Sequence, residues 1–487
     1  MSRSLLIAVA CGAIAGCAVG SNGPALRPEG GDSGAPEAAQ PSLEQGLEVL
    51  SLLSQGAEAL ATGDPRGAVG YLDEALALGG EEPTALFLRG VAHLEAGDPD
   101  AAQPDLLRAI ELKPDDVAAY CALARARRAG GDIDGAVDAV EAAIEIVPGD
   151  SRLLTLQGHM LLEAGDVEQA EEALHEAVRL DPANVESLRA LGILYTDTGD
   201  PEAAERAWRD ALKLEPEDVL LHAGLANTLR DLGRDEDALG SYLSATQLEP
   251  GNPVHLANLG STYFRLDRLP EARDAYEGAL ALEVLPPLSH GFVALNFGVV
   301  LERMGDDQGA IDAYREAIAN DEDRAEAHEA LGMLLLDQGD DEKAFTHLGA
   351  AFDLELVSPE AVVHLGLLAD RLGTPERARQ CAGLLEAWAE TDAAVAYRRA
   401  QLLARCQDPE VHDGPLAVEI LQELVAGPLQ SSAAAWNMLA EALAGEGRYD
   451  DALHATDRAL ELVEPGEPAW HRTRDLREHC LTSLVGG

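Results

Sequence analysis

Aromatic side chains are scarce in this sequence of 487 residues. Phenylalanine, tryptophan and tyrosine make up only 4% of it, whereas hydrophobic residues reach 47% and are dominated by alanine and leucine. Alanine and leucine favour helices, and the β-branched residues that favour strands are fewer. A sheet-based core is therefore not expected, and the composition predicts an all-α fold.

Positive charge is also scarce. The chain carries 87 acidic and 35 basic residues, a formal net charge of −52, and only three of the basic residues are lysines. Such a field repels phosphates, so we expect neither nucleic-acid binding nor attachment to anionic lipid headgroups through a basic patch. Solubility is the simplest role for the excess of acid, and specific cation binding is the alternative.

Catalytic and metal-binding motifs are absent from the sequence. It contains no GxGxxG, GxSxG, P-loop or HExxH pattern, and its 13 histidines show no repeated ligand spacing. No Cys-x-x-Cys pair occurs that would indicate zinc. We therefore predict a protein that is not an enzyme, with no cofactor, no metal and no small-molecule substrate.

The cysteines do not form a disulfide framework by their spacing. Four of the six lie well beyond the N-terminal segment: Cys121, Cys381, Cys406 and Cys480. In a large helical protein such cysteines are usually small buried apolar residues. Cys381 and Cys406 fall on neighbouring predicted helices, so a disulfide between them in an oxidising compartment stays open as an alternative.

The first residues have the pattern of an export signal. Arg3 precedes a short apolar run, too short to span a bilayer, that ends in residues 14–17, Ile-Ala-Gly-Cys. These four residues resemble the lipobox of bacterial lipoproteins. The resemblance implies that residues 1–16 are a signal peptide and that Cys17 is lipidated, each buried CH₂ of its acyl chains contributing about 0.8 kcal/mol. A plain secretory leader with a chance cysteine is the alternative.

The same resemblance gives a location. Ala18 follows Cys17, and in enterobacterial lipoproteins a residue other than Asp at that place permits export to the outer membrane. We expect a lipid-anchored protein of the bacterial envelope, on the outer membrane facing the periplasm, which touches the membrane only through its lipid. Residues 17–42 hold the lipidated cysteine and a flexible linker rich in Gly, Ala, Pro and Ser, which reaches about 80 Å when extended.

A period of 34 residues fills the rest of the chain. A glycine recurs at that interval, at Gly63, Gly97, Gly131, Gly165, Gly199 and Gly233. An alanine follows each of these glycines by five residues, and a second alanine comes seven residues later. A glycine in the left-handed conformation ends a helix and the aspartate after it caps the next, so each unit is predicted to be a helical hairpin. One hairpin cannot bury its apolar face alone, so the hairpins must stack.

This repeat resembles the tetratricopeptide repeat (TPR). The unit that starts at Val185 carries the signature of that family: Leu188, Leu191, Gly192, Tyr195, Ala204, Trp208, Ala211 and Pro216. The resemblance implies an all-α, right-handed α-α superhelix (solenoid) of about twelve helix-turn-helix repeats. Three residues depart from the pattern, because Arg89 and Arg127 occupy core positions and Asp267 replaces a turn glycine.

The array is predicted in two parts followed by a cap. The first part, residues 43–286, holds about seven repeats. The second part, residues 287–466, holds about five, with insertions near 287–290 and 407–415. Residues 467–487 are predicted to form a C-terminal capping helix that covers the last hairpin.

The resemblance also implies a binding groove, lined by positions 2, 5, 9 and 12 of the first helix of each repeat. In repeats three to six these positions include basic residues and an asparagine: Arg125, Arg128, Arg152, Arg189, Asn227 and Arg230. Apolar residues follow: Val254, Phe264, Phe292, Leu295 and Val299. An acidic stretch comes last: Glu302, Glu326, Glu329, Glu360 and Asp370. We predict that the groove binds a partner segment through all three regions, the alternative being that the charges pair internally as ordinary surface salt bridges.

These features together predict a non-enzymatic scaffold whose partners are other proteins or peptide segments. Two more specific roles are open. One is a pilotin-like assembly factor for a secretin, a pilus or another outer-membrane complex. The other is an adaptor for peptidoglycan enzymes or proteases. An unrecognised enzyme is the third and least supported alternative.

Overall fold

The computed structural model describes residues 43–282, 285–389 and 392–486. Within these ranges the chain forms 25 helices and no strand, which confirms the all-α prediction. The predicted signal peptide, the lipidation site Cys17 and the linker lie outside the described residues. Two compact units divide the chain, Met1–Leu248 (unit 1) and Glu249–Gly487 (unit 2).

The described part of unit 1 consists of twelve helices that pair in order as six hairpins. The first helix of each hairpin carries an odd number and the second an even number. They are α1 (Leu43–Thr62), α2 (Pro65–Gly79), α3 (Pro83–Glu95), α4 (Pro99–Leu112), α5 (Val117–Ala129), α6 (Ile133–Ile146), α7 (Ser151–Ala164), α8 (Val167–Leu180), α9 (Val185–Thr198), α10 (Pro201–Leu214), α11 (Val219–Asp231) and α12 (Asp235–Leu248).

The described part of unit 2 repeats this arrangement with six more hairpins and a final single helix. They are α13 (Pro253–Arg265), α14 (Leu269–Leu280), α15 (Pro287–Arg303), α16 (Asp307–Asn320), α17 (Ala325–Asp337), α18 (Asp341–Asp353), α19 (Pro359–Arg371), α20 (Pro375–Ala389), α21 (Ala393–Arg405), α22 (Gly414–Ala426), α23 (Ala433–Gly445), α24 (Tyr449–Glu461) and α25 (Pro468–Gly486).

The turn between α9 and α10 shows how two residues form the usual turn inside a hairpin. Gly199 has a φ of 76°, in the left-handed region that ends α9 without a Cβ penalty. Asp200 then caps α10, its Oδ1 accepting the backbone N–H of Ala203 at 2.9 Å. Asp267 takes the place of the turn glycine and still adopts a φ of 59°, a conformation that costs an ordinary residue about 1–2 kcal/mol. Its carboxylate accepts a hydrogen bond from Arg303 at 2.8 Å, which helps to hold that turn.

Small residues allow the helices to pack closely. In unit 1, Trp208 of α10 lies against Gly192 of α9 and Gly224 of α11. A Cβ added to Gly192 would come within 2.6 Å of the indole ring, and one added to Gly224 within 2.8 Å. Both glycines are therefore required by packing against Trp208, because a tightly packed interior leaves no room for a methyl group there.

Arg89, which the repeat pattern places at a core position, is accommodated by two carboxylates. Its guanidinium donates to Asp105 at 2.6 and 2.7 Å and to Asp73 at 2.6 Å. Asp105 is only 8% exposed, so it forms a buried ion pair whose charges are both hydrogen-bonded. Through Asp105 and Asp73, Arg89 links α3 to α4 and to α2. Arg127 is satisfied in a simpler way, because it donates to the carbonyl oxygen of Gly135 at 2.7 Å.

The two predicted insertions have different effects in unit 2. The first lengthens α15 to 17 residues, against 13 in α13. The second forms a loop after α21, and Asp370 holds its start by accepting the backbone N–H groups of Gln407 at 2.8 Å and Asp408 at 3.1 Å.

The final helix, Pro468–Gly486, packs onto the last hairpin. Thr473 and Cys480 of α25 are fully buried. Asn437 of α23 donates to the Thr473 hydroxyl at 2.7 Å, and Arg477 pairs with Asp457 of α24 at 2.6 Å. None of the described helices combines the length and the apolar character needed to cross a membrane.

Candidate partner-binding face

The first helices of unit 1 carry the arginines that the sequence predicts. One group spans α5, α7 and α9. Arg128 and Arg189 both lie close enough to His159 for their charges to lower its pKa. A second group lies beside Cys121, where Arg152 and Arg125 both act on the thiol. Arg230, at position 12 of α11, belongs to the same predicted groove but has no contact with these two groups among the described residues. We call the predicted arginines and His159 together the arginine face: Arg125, Arg128, Arg152, His159, Arg189 and Arg230.

His159 is a member of this face that sequence reasoning missed. Burial lowers its pKa below the usual range of histidine, and the charges of Arg189 and Arg128 lower it further. The ring is therefore neutral at pH 7, with its Nε2 atom 3.3 Å from a carboxylate oxygen of Glu186. The residue stands at position 9 of its helix, so the same register that selects Arg125 would have found it.

Three arginines of the face have acidic neighbours. Arg152 pairs with Asp150 at 2.7 Å, although its side chain remains 81% exposed. Arg128 lies 3.5 Å from Glu163, and Arg189 pairs with Glu186. Exposed pairs of this kind contribute about 0–1 kcal/mol, so a carboxylate from a partner can compete with them.

Arg125 and Arg230 differ from these three. Both side chains are half-buried, and neither forms an ion pair or a hydrogen bond within the residues that the structure describes. Their guanidinium groups each keep five donors for a ligand, in a planar fork that matches a carboxylate. They are the arginines of this face that lose no internal bond when a partner binds.

Asn227 has a structural contact instead. Its side-chain oxygen accepts a hydrogen bond from the hydroxyl of Tyr242, a tyrosine that is fully buried. Burial raises the pKa of Tyr242, so the hydroxyl keeps its proton and remains a donor. The predicted groove asparagine therefore supports the interior of unit 1.

The predicted apolar residues all belong to unit 2. Val254 is 52% exposed and Phe292 is 55% exposed, whereas Phe264, Leu295 and Val299 are half-buried. Two arginines cover the aromatic rings, with the guanidinium carbon of Arg303 5.1 Å from the Phe264 ring centre and that of Arg324 5.9 Å from the Phe292 ring centre. Such contacts are modestly favourable and partly screen these rings from solvent.

The predicted acidic residues of unit 2 are largely used by the fold. Glu302 accepts the hydroxyl of the buried Tyr314 at 2.7 Å, and Glu329 accepts the backbone N–H of Ser358 at 2.8 Å. Glu360 pairs with Arg398 at 2.9 Å. Asp370 holds the loop after α21, as described above. Of the five, only Glu326 has no ion pair or hydrogen bond among the described residues.

The described residues offer little reactive chemistry. They contain no group of three or more His, Cys, Asp or Glu side chains that could hold a metal ion. Burial raises the pKa of the Cys121 thiol, and it raises that of Cys381 to about 12, so neither is an activated nucleophile. Cys381 and Cys406 are both buried free thiols in the structure, not a disulfide. The arrangement is suited to binding.

The family comparison agrees with the repeat pattern. Sequence profiles described as tetratricopeptide repeat match residues 53–102, 92–151, 155–205, 189–253 and 411–467. A second profile with the same description matches residues 254–323. The first profile alone covers more than half of the chain. No curated protein matches.

Three solved structures are similar to the chain, and two of them are described as tetratricopeptide repeat proteins. One from Parabacteroides merdae is 14% identical, covering 52% of this chain and 99% of its own, with a TM-score of 0.41. A thermophilic protein from Thermus thermophilus is 22% identical, covering 37% of this chain and 98% of its own, with a TM-score of 0.32. The Cut9–Hcn1 assembly of the APC/C is 14% identical, covering 89% of this chain and 96% of its own, with a TM-score of 0.41.

Proposed function

The chain belongs to the tetratricopeptide repeat family, and from that membership we propose that it is a lipid-anchored scaffold of the bacterial envelope that binds acidic segments of partner proteins. Repeats of this family bind other proteins or peptides, and the chain is a scaffold of that general kind. The specific parts of the proposal are the anchor at Cys17, the envelope location and the choice of the arginine face as the binding surface.

One observation carries the choice of surface. In a chain with a net charge of −52, Arg125 and Arg230 remain without an internal carboxylate partner among the described residues. An arginine without an internal partner should bind a carboxylate of another protein, because charge-assisted bonds to carboxylates are the strongest it can form. A partner segment rich in Asp or Glu would supply these carboxylates. The acidic remainder of the surface would repel such a segment elsewhere and so restrict it to this face.

Site-specific crosslinking in cells tests the surface. Ile193 on α9 is 43% exposed and lies one turn after Arg189, so a photoreactive benzoylphenylalanine at position 193 samples the arginine face without removing a charge. Leu180, which is 39% exposed at the end of α8, is the matched control position. We expect a specific protein to be captured from position 193 and not from position 180.

The test is completed by adding charge-reversal substitutions to the protein that carries the photoreactive residue at position 193. The variant R125E/R230E should lose the captured protein, whereas R179E/R209E, which makes the same change of charge on the second helices α8 and α10, should keep it. Equal capture by both variants would contradict the arginine face. The identity of the captured protein then separates the two specific roles, since pore or pilus subunits support an assembly factor and peptidoglycan hydrolases or proteases support an adaptor.

Lipid labelling tests the anchor separately. The lipobox resemblance at residues 14–17 supports acylation of Cys17, and Cys11 six residues earlier offers a matched control. Cells fed radioactive palmitate should label the parent chain and the C11S variant and should leave C17S unlabelled and outside the membrane fraction. Label that persists in C17S would contradict the anchor and would leave the binding face untouched.

A further inference from the structure

Two histidines face each other inside one hairpin of unit 2. His328 lies on α17 and His347 on α18, and their Nδ1 atoms are 3.0 Å apart. The ring centres are separated by 5.2 Å and the ring planes are tilted by 38°. Both side chains are half-buried. The two histidines stand 19 positions apart, a spacing that matches no known metal motif, so only the pairing of the two helices brings these rings together.

The hydrogen bonds fix the proton positions on these rings. The Nε2 atom of His328 is 3.2 Å from the carbonyl oxygen of Glu322. A carbonyl oxygen can only accept, so this Nε2 carries the proton and the Nδ1 atom of neutral His328 has a free lone pair. His347 then donates its Nδ1 proton to that lone pair. Burial lowers the pKa of His347 below its usual range, and the neighbouring His328 ring and the charge of Arg315 lower it further, so the His347 ring is neutral at pH 7.

This arrangement matches the requirements of a transition-metal ion. Imidazole nitrogens bind such an ion at about 2.0–2.1 Å, which places two neighbouring nitrogen ligands about 2.9 Å apart at a right angle and about 3.3 Å apart at a tetrahedral angle. The observed 3.0 Å lies between these values. A ligating histidine commonly donates its other N–H to a backbone carbonyl, which fixes the ring, and His328 already does so through Glu322.

We propose that His328 and His347 form a binding site for a divalent transition-metal ion of the Cu²⁺ or Zn²⁺ class, with water completing its coordination. Binding needs no net loss of protons, because the Nδ1 proton of His347 moves to its Nε2 atom and both ligands stay neutral. Both rings must rotate so that their Nδ1 lone pairs turn from the line of the present hydrogen bond toward the shared ion. The ion would then link α17 to α18 within one hairpin.

The surroundings set the strength and selectivity of the site. The charge of Arg315 on α16 reaches His347 and weakens cation binding, although the net charge of −52 attracts cations to the protein as a whole. Imidazole favours Cu²⁺ over Zn²⁺ and both over hard cations such as Mg²⁺, which prefer oxygen ligands. The site belongs to unit 2 and does not depend on partner binding by the arginine face of unit 1.

Calorimetric titration of the purified full-length chain with Cu²⁺ and with Zn²⁺ tests the proposal. The protein carries no polyhistidine tag, and an excess of Mg²⁺ occupies the carboxylates of the surface. We expect one equivalent of each ion to bind, Cu²⁺ more tightly. H328Q and H347Q should each weaken this event by more than about tenfold, since loss of even an outer-sphere partner costs about 10–100-fold in metal affinity.

His222 provides the matched control. It occupies the equivalent place on α11, and its Nε2 lies 2.9 Å from the carbonyl oxygen of Pro216, as that of His328 lies near Glu322. It has no second histidine beside it among the described residues, so H222Q should bind both ions as the parent does.

Electron paramagnetic resonance of the Cu²⁺ complex adds a readout of the ligands. Two coordinated nitrogens are expected in the parent and in H222Q, and one or none in H328Q. Thermal unfolding in a chelator establishes that each variant is folded. The proposal is overturned if the folded parent binds no Cu²⁺ in excess Mg²⁺, or if H328Q and H347Q bind it as tightly as H222Q does.

Discussion

Positions 2, 5, 9 and 12 of the first helices include five arginines in unit 1 and five carboxylates in unit 2, and the two sets differ in how many members bond within their unit. In unit 1, Arg125 and Arg230 have no internal partner among the described residues. In unit 2, four of the five carboxylates accept hydrogen bonds or form an ion pair within the unit. Under our proposal, these repeat positions serve partner binding in unit 1 and folding in unit 2.

The chemistry of the two groups explains the difference. A carboxylate only accepts, and a helical hairpin offers it unpaired backbone N–H groups at helix starts and loops. Glu329 and Asp370 are bound in this way, to Ser358 and to Gln407 and Asp408. A guanidinium only donates, and no described acid is in place for Arg125 or Arg230. Whether a charged side chain at these positions becomes structural therefore depends on the partner that helix packing places beside it.

The largest expected effect separates Asp370 from Arg230, which share position 12 of their helices. D370A leaves two backbone N–H groups without their acceptor, so the free energy of unfolding should fall by about 1–3 kcal/mol. R230A removes a side chain with no internal bond and should change it by less than about 0.5 kcal/mol. Chemical denaturation measures both values, and hydrogen exchange should locate the loss in D370A to residues 405–413. Equal destabilisation by the two variants would remove the contrast between the units.

A smaller effect should separate two glutamates of unit 2. E302A leaves the hydroxyl of buried Tyr314 without its acceptor, at a cost of about 1 kcal/mol in the free energy of unfolding. E326A removes the one carboxylate of the set that has no bond among the described residues, so its stability should match the parent within about 0.5 kcal/mol. The same denaturation experiment compares the two. A stable E302A variant would show that Glu302 is available to a partner after all.

Binding of an acidic peptide by unit 1 should weaken strongly as the salt concentration rises. A fluorescein-labelled peptide of alternating Glu and Ala should bind the arginine face with an affinity that falls about tenfold or more between 0.15 M and 1 M salt, because the screening length falls from about 8 Å to about 3 Å. Fluorescence anisotropy measures this affinity. A salt-independent affinity would mean that apolar contacts, not the arginines, hold the peptide.

The smallest expected effect concerns pH. The folded-state pKa of His159 is depressed, so the ring becomes charged only when the pH falls below the usual histidine value of about 6.5. The added charge should strengthen binding of the acidic peptide about twofold to threefold at pH 5.5 relative to pH 7.5. The same protonation lowers the stability of unit 1, because the unfolded chain binds the proton more readily. H159Q should flatten both trends.

The sequence predicts where the hairpins form better than it predicts which partners their charged side chains bind. The interval from Gly63 to Gly233 predicts the hairpins of unit 1, because each turn depends on residues that are adjacent in the chain. The fate of Glu329 depends on Ser358, 29 residues later, and that of Asp370 on a loop outside the repeat. His328 and His347 likewise meet only when two helices pair. Local signals fix the turns, whereas partners on different helices are set by packing.

The most direct test of the arginine face is the affinity of the acidic peptide for three forms of the full-length chain, measured by anisotropy at low salt. We predict that R125A/R230A binds the peptide at least about tenfold more weakly than the parent, since each lost charge-assisted bond is worth about 1.5–3 kcal/mol. R179A/R209A, which removes two arginines from the second helices, should bind it as the parent does. Equal affinity in R125A/R230A and the parent, or an equal loss in both variants, would contradict the claim that the arginine face is the binding surface.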